Sequence, residues 1–211
     1  MKIKAVIFDM DGVLVDARDW HFDALNEALA IFGAEITYSE HLERFDGLPT
    51  KSKLKTLVSE DRIPANLINV IEAVKQERTL RTSARLCFPR VEHILMLAEL
   101  QRRGLGLAVA TNSIRKTTEI MLSYAGVLPT MNHVVINEDV SSPKPDPEIY
   151  LLACAKLGVD PNEVLVVEDN VNGVKAAKAA GCSVVQVEQP SDLDLELIDG
   201  YLKSFEVVDI D

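Results

Sequence analysis

Short apolar runs that return again and again between helical stretches constrain this chain more than any other feature. They cover residues 5–8, 105–110, 133–136, 164–167 and 183–187 and are dominated by Val, Leu, Ile and Ala. A strand with one wet face alternates apolar and polar residues, and these runs barely do. They read as strands covered on both faces, and the helices between them point to a parallel sheet. One such helix carries Val91, Ile94, Leu95, Ala98 and Leu100 on one face and stops at Gly104; another opens at Asp146-Pro147 and closes at Gly158. The expected class is α/β, a doubly wound parallel sheet.

Residues 17–85 break the rhythm. Trp20, Ala24, Ala28 and Phe32 space as one helix face, Leu54, Leu57 and Val58 as a second. Leu67, Ile68, Ile71 and Val74, after Pro64, make a third. A stretch this long is no simple crossover. The expectation is an all-α cap at 17–85, inserted into a core of 1–16 and 86–211. The insert holds 10 basic and 11 acidic residues, the remainder 12 and 22. Of the net charge of −11, the remainder carries −10 and the insert −1, so the acidity belongs to the core. An acidic surface repels phosphate backbones and anionic lipid, which argues against nucleic-acid and membrane roles. Lys51, Lys53, Lys55 and Arg62 cluster in the insert. They read either as a solvated helix face or as a patch facing an anionic substrate.

No apolar run reaches the ~20 residues of a spanning helix, and the first is cut by Asp9 too early for a signal peptide. Cys87, Cys154 and Cys182 form no CxxC pair. They read as reduced structural thiols, so a cytoplasmic protein is expected. The sequence is compatible with a monomer and leaves the oligomeric state open.

Ligands of open parallel sheets bind beyond the carboxyl ends of the strands. Asp9 and Asp11 follow the first run, Thr111 the second and Glu168-Asp169 the fourth; Lys144 sits in the loop after the third. Each alone has a structural explanation as a turn, cap or surface residue. Together they gather carboxylates, a hydroxyl and an ammonium at one edge. Hard oxygen donors without a histidine or cysteine cluster suit Mg2+. A carboxylate attacking a phosphate dianion needs a cation and a lysine to offset repulsion. A second carboxylate beside it can give and take a proton.

The run Asp9-Met10-Asp11-Gly12-Val13-Leu14 resembles the first motif of the haloacid dehalogenase superfamily. Thr111-Asn112-Ser113, Lys144-Pro145 and Val166-Val167-Glu168-Asp169-Asn170 resemble the second, third and fourth. The insert is similar to the helical cap of the β-phosphoglucomutase and phosphoglycolate phosphatase branch. The resemblance implies that Asp9 becomes an aspartyl phosphate and Asp11 is general acid and base. It implies Mg2+ held by Asp9, the Asp11 carbonyl and Asp169, with Glu168 as a ligand or as support for one. Thr111, Asn112 and Lys144 would bind the transferring phosphoryl group of a small phosphorylated metabolite. In the mutase branch a histidine stands where His21 stands and contacts the acid/base carboxylate; otherwise His21 is a polar residue on the first cap helix. His41, His93 and His133 show no partner pattern and read as structural or surface residues.

Asp46-Gly47-Leu48-Pro49-Thr50-Lys51 resembles the family's cap specificity loop. The mutase pattern has a basic residue before the glycine and an arginine three after it. Here those positions are Asp46 and Thr50, with Lys51 a near neighbour, which favours a phosphatase over a phosphomutase. A receiver-type signalling domain carries its acids in another order, and Asp169-Asn170-Val171-Asn172-Gly173 lacks EF-hand spacing. A dehalogenase would lack Asp11's counterpart, and a non-catalytic phosphate binder would not need the full set.

Overall fold

The computed structural model describes residues 2–206. Five strands form one sheet in the order β3-β2-β1-β4-β5. They are β1 Ala5–Phe8, β2 Gly106–Ala110, β3 His133–Val135, β4 Val164–Glu168 and β5 Ser183–Gln186. All neighbours pair in parallel. Every expected strand forms within two residues of its expected ends. Alternate residues face opposite ways. Val6 and Phe8 join a core with Met96, Leu97, Met121 and Ile198. Ala5 and Ile7 join one with Ile149, Tyr150, Ala153 and Ala176. The first core packs α5 (Val91–Arg102), α6 (Arg115–Tyr124) and α9 (Leu195–Glu206) onto one face. The second packs α7 (Glu148–Leu157) and α8 (Val171–Ala180) onto the other.

Between β1 and β2 the chain is helical: α1 Arg18–Ala30, the turn α2 Tyr38–Glu40 running into a π-helical His41–Phe45, α3 Thr50–Ser59 and α4 Ile68–Leu86. These helices own a separate apolar cluster of Leu25, Leu29, Phe45, Leu54, Leu57 and Ile71, among others. The sheet reverses its order of addition between β1 and β4. That switch point opens a crevice at the carboxyl ends of the two strands. No helix among the described residues is long and apolar enough to cross a membrane.

Two helix faces differ from expectation. On α1 the buried residues are Ala24, Leu25, Ala28 and Leu29, while Phe32 lies past the helix end and is exposed. On α5 they are His93, Met96, Leu97 and Leu100, while Val91 and Leu95 are exposed. The His93 ring makes the rotation possible, because its Nε2 donates to the carbonyl of Pro190 at 2.8 Å. A polar residue satisfied inside the core shifts the stripe that an apolar count alone would choose.

The helical insert depends on its own core. Leu57→Ala removes a fully buried side chain and should cost about 2–5 kcal/mol. Denaturant unfolding checks this, and an unchanged midpoint would contradict a packed insert.

Candidate active site

The crevice is a cavity of about 450 Å3 between the sheet edge and the helical insert. Asp9, Asp11, Thr111, Asn112, Lys144, Glu168 and Asp169 all line it. The strands position them. Asp9 is the first residue past β1, and its N–H still donates to the Val167 carbonyl at 2.9 Å, so the chain leaves the sheet in register. Thr111 leaves β2 in the same way, bonding Val135 at 3.0 Å.

The Lys144 ammonium is buried and spends all three protons here. It donates to Asp9 Oδ1 at 2.6 Å, Glu168 Oε1 at 2.6 Å and the Ala110 carbonyl at 2.8 Å. Burial pulls its pKa down, and the charges of Asp9 and Glu168 more than reverse this, so the pKa is raised and the lysine stays charged. Glu168 is fully engaged. Its Oε1 also accepts from the Tyr150 hydroxyl at 2.7 Å, and Oε2 accepts the N–H groups of Asp169 and Asn170 at 3.0 and 3.1 Å. Tyr150 was not anticipated from sequence. Its signal was a tyrosine on an otherwise apolar helix face, which needs a partner for its hydroxyl when buried.

Asp9 is pushed well up from the ordinary carboxylate range, first by burial and then by Glu168, Asp169 and Asp11. Asp169 is pushed up to about 6, again chiefly by burial, although Arg18 donates to its Oδ2 at 2.6 Å. Ligand oxygens of Asp9, Glu168 and Asp169 fall within 4.8 Å of one another. Among the described residues Asp9 Oδ2 and Asp169 Oδ1 accept no hydrogen bond. Crowded, desolvated carboxylates with unused hard oxygens fit a small divalent cation such as Mg2+. Glu168, with four donors, fits the part of a support better than that of a ligand.

Asp11 has another environment. Its Oδ1 lies 3.0 Å from His21 Nε2, and its Oδ2 accepts from the Ser113 hydroxyl at 2.7 Å. Burial alone would raise its pKa; His21, Ser113 and Lys75 outweigh that and hold it below its usual value. His21 Nδ1 in turn lies 2.9 Å from Lys75 Nζ. An ammonium can only donate, so Nδ1 accepts and Nε2–H donates to Asp11. His21 therefore touches the site. Lys75, on α4, was not singled out from sequence; its signal is its place among the buried positions Ile71, Lys75 and Thr79, spaced by helical fours.

The cap loop lies against the core. Gly47 adopts φ +71°, and its carbonyl accepts from Asn112 Nδ2 at 3.0 Å. A Cβ there would lie 2.6 Å from the Asn170 side chain. Asn170 also donates to Asp46 Oδ2 at 2.8 Å. Thr50 and Lys51 line the cavity, but Lys51 is exposed and sits 3.7 Å from Glu72. His41 is buried beside the cavity, 3.7 Å from Asp46. His133 is only half-buried, on β3. The three cysteines are free and buried.

Fold and site define a class: a parallel α/β core with a carboxylate cluster at its carboxyl edge, roofed by a helical insert. The chain belongs to the haloacid dehalogenase-like hydrolase family, whose model matches residues 6–187. It is 34% identical over 180 residues to a phosphorylated carbohydrates phosphatase of Thermotoga maritima, covering 85% of this chain and 82% of that one. It superposes on CbbY of Rhodobacter sphaeroides in complex with xylulose-(1,5)bisphosphate with a TM-score of 0.78 and 28% identity, covering 92% of this chain and 90% of that one. A β-phosphoglucomutase of Clostridium difficile shares the fold with a TM-score of 0.82 at 19% identity, over 97% of this chain and 99% of that one.

Gly173, on the first turn of α8, tests the packing of the support. A Cβ there would sit 1.6 Å from Glu168 Oε1. In an ordinary helix Gly→Ala gains about 1 kcal/mol. Here Gly173→Ala should instead lower the thermal midpoint and abolish activity, because it displaces Glu168 from Lys144. A more stable, active variant would disprove the tight contact.

Proposed function

We propose that this protein is a Mg2+-dependent phosphatase that hydrolyses a small phosphorylated metabolite through a covalent intermediate on Asp9. The observation that carries the reading is the buried Asp9 carboxylate, with one oxygen on Lys144 and the other turned to the cavity without a hydrogen bond. The phosphatase relative in Thermotoga maritima supports it.

In this reading the Asp9 carboxylate attacks phosphorus through the oxygen that does not hold Mg2+, and the ester P–O bond breaks. Asp11, ionised in the free site, takes up a proton as the phosphate dianion binds beside it and gives that proton to the leaving oxygen. Water then attacks the aspartyl phosphate, Asp11 takes its proton, and the P–O bond to Asp9 breaks to release inorganic phosphate. Thr111, Asn112 and Lys144 hold the phosphoryl oxygens. His21, steadied by Lys75, keeps the Asp11 carboxylate aimed. Asp9, the Asp11 carbonyl and Asp169 would hold Mg2+, which when bound neutralises charge on the phosphoryl oxygens. The insert forms the cap at about 17–85, with the core on either side of it. We infer hydrolysis and not mutase chemistry because Thr50 stands where a mutase has arginine, and a lysine does not replace that bidentate grip.

Asp9→Asn should remove phosphate release while leaving the unfolding transition intact, since an amide forms no acyl phosphate. Substantial turnover by the folded variant would sink the mechanism. Asp11→Asn should lower kcat by roughly 100-fold or more.

A chelator should abolish activity and added Mg2+ restore it. Full rate in a metal-free preparation would refute the metal requirement. Incubation with glucose 1-phosphate and a bisphosphate primer should yield free phosphate; rapid glucose 6-phosphate without phosphate would establish a mutase instead.

A further inference from the structure

The lysine cluster of the insert splits in the structure. Lys51 and Lys55 are exposed on α3, whereas Lys53 is only 7% exposed and lines the cavity. Lys51 has Glu72 nearby. Lys53 makes no side-chain hydrogen bond and no ion pair among the described residues. The carboxylates near it are committed elsewhere. Asp46 accepts from Asn170, and Asp11 accepts from His21 and Ser113. Lys75, also buried against the cavity, has only the neutral ring of His21 as a partner. The insert thus turns two ammonium groups toward the cavity with no carboxylate in contact. Burial lowers Lys53 to about 8 in spite of the nearby charges of Asp46 and Asp11, and burial together with Lys53 lowers Lys75 to about 7.

A buried cation without a partner is a net loss of stability. Methionine of similar length would fill the position on α3 better. What compensates the ammonium must come from the ligand. The catalytic phosphoryl group does not meet that need, because Lys144, on the opposite side of the cavity, already serves Asp9.

We infer that Lys53 binds a second anionic group on the substrate, a phosphate or carboxylate at the end remote from the transferred phosphoryl group. This rests on the proposed phosphatase reading and narrows its substrate class to two-ended anions. Lys75, which also lines the cavity, adds a second positive charge. A single point charge recognises such a group without the fixed fork an arginine offers. It therefore selects the substrate without gripping both ends of a bisphosphate intermediate.

Three ligands on one carbon skeleton test this: glucose 6-phosphate with a neutral far end, 6-phosphogluconate with a carboxylate, and glucose 1,6-bisphosphate with a phosphate. Calorimetric binding to the Asp9→Asn protein with Mg2+ does not require turnover. One or both two-ended ligands should bind at least about tenfold tighter than glucose 6-phosphate, since charge-assisted contacts are the strong ones. Whichever wins identifies the anion. Adding Lys53→Met should erase the preference, Lys53→Arg should keep part of it, and the exposed control Lys55→Met should leave it intact. Lys53→Met should also raise the thermal midpoint, so misfolding would not be mistaken for lost recognition. Equal affinities for all three ligands, no binding by any, or a preference that survives Lys53→Met overturns the inference. Absence of phosphate release by the wild-type protein from every ligand would fail the phosphatase reading separately.

Discussion

Three carboxylates and one ammonium share the carboxyl edge of the sheet, and the Lys144 contacts with Asp9 and Glu168 are what make that crowding tolerable. At about 4 Å and an effective dielectric near 20, each like-charge pair costs roughly 4 kcal/mol. Lys144, bonded to Asp9, Glu168 and the Ala110 carbonyl, cancels part of that. Arg18 on Asp169 cancels more. The remaining excess of negative charge is what suits the edge to a divalent cation, and with it to an anionic ligand. The same cluster would be a liability in a protein that bound nothing there.

The fold bends to this requirement in small ways. Parallel strands deliver their ends to one edge, so residues far apart in sequence converge without long loops. Gly12 and Gly173 leave room where the Asp169 and Glu168 carboxylates must pass. A Cβ on Gly12 would lie 2.1 Å from Asp169 Oδ2, and one on Gly173 would strike Glu168. Tyr150 gives the hydroxyl that Glu168 needs and the apolar ring that the α7 side of the core needs. Support for the site and packing of the sheet are therefore one set of contacts.

Much of this was legible in the sequence, and the reason is burial on both faces. Strands covered twice leave continuous apolar runs such as 164–167, and a carboxylate directly after such a run is conspicuous. Asp9 and the Glu168-Asp169 pair stood out for that reason. Helix faces were less legible where polar residues turn inward. The α5 stripe was misjudged because His93 finds its acceptor in Pro190, 97 residues away, which no local pattern reveals. Lys53 reads with Lys51, Lys55 and Arg62 as one cluster, and residue type alone does not separate it from them. Its signal was positional: it shares the flank of α3 with Leu57, four residues on, while Lys51 and Lys55 flank Leu54 on the other side.

Lys53 also explains how a cap loop with Asp46 and Thr50 can still serve a charged substrate. Asp46 is tied to Asn170 and lies near His41, so although its charge reaches Lys53 it makes no ion pair with it. The loop contacts thereby do two things at once. They hold the insert against the sheet edge through Asn112 and Asn170, and they keep the Asp46 carboxylate out of direct contact with the ammonium. If Asp46 were free to pair with Lys53, the lysine would be satisfied in the empty cavity and would discriminate little between ligands. Held apart, it remains unsatisfied until an anion arrives, and the difference between those two states is the source of selectivity.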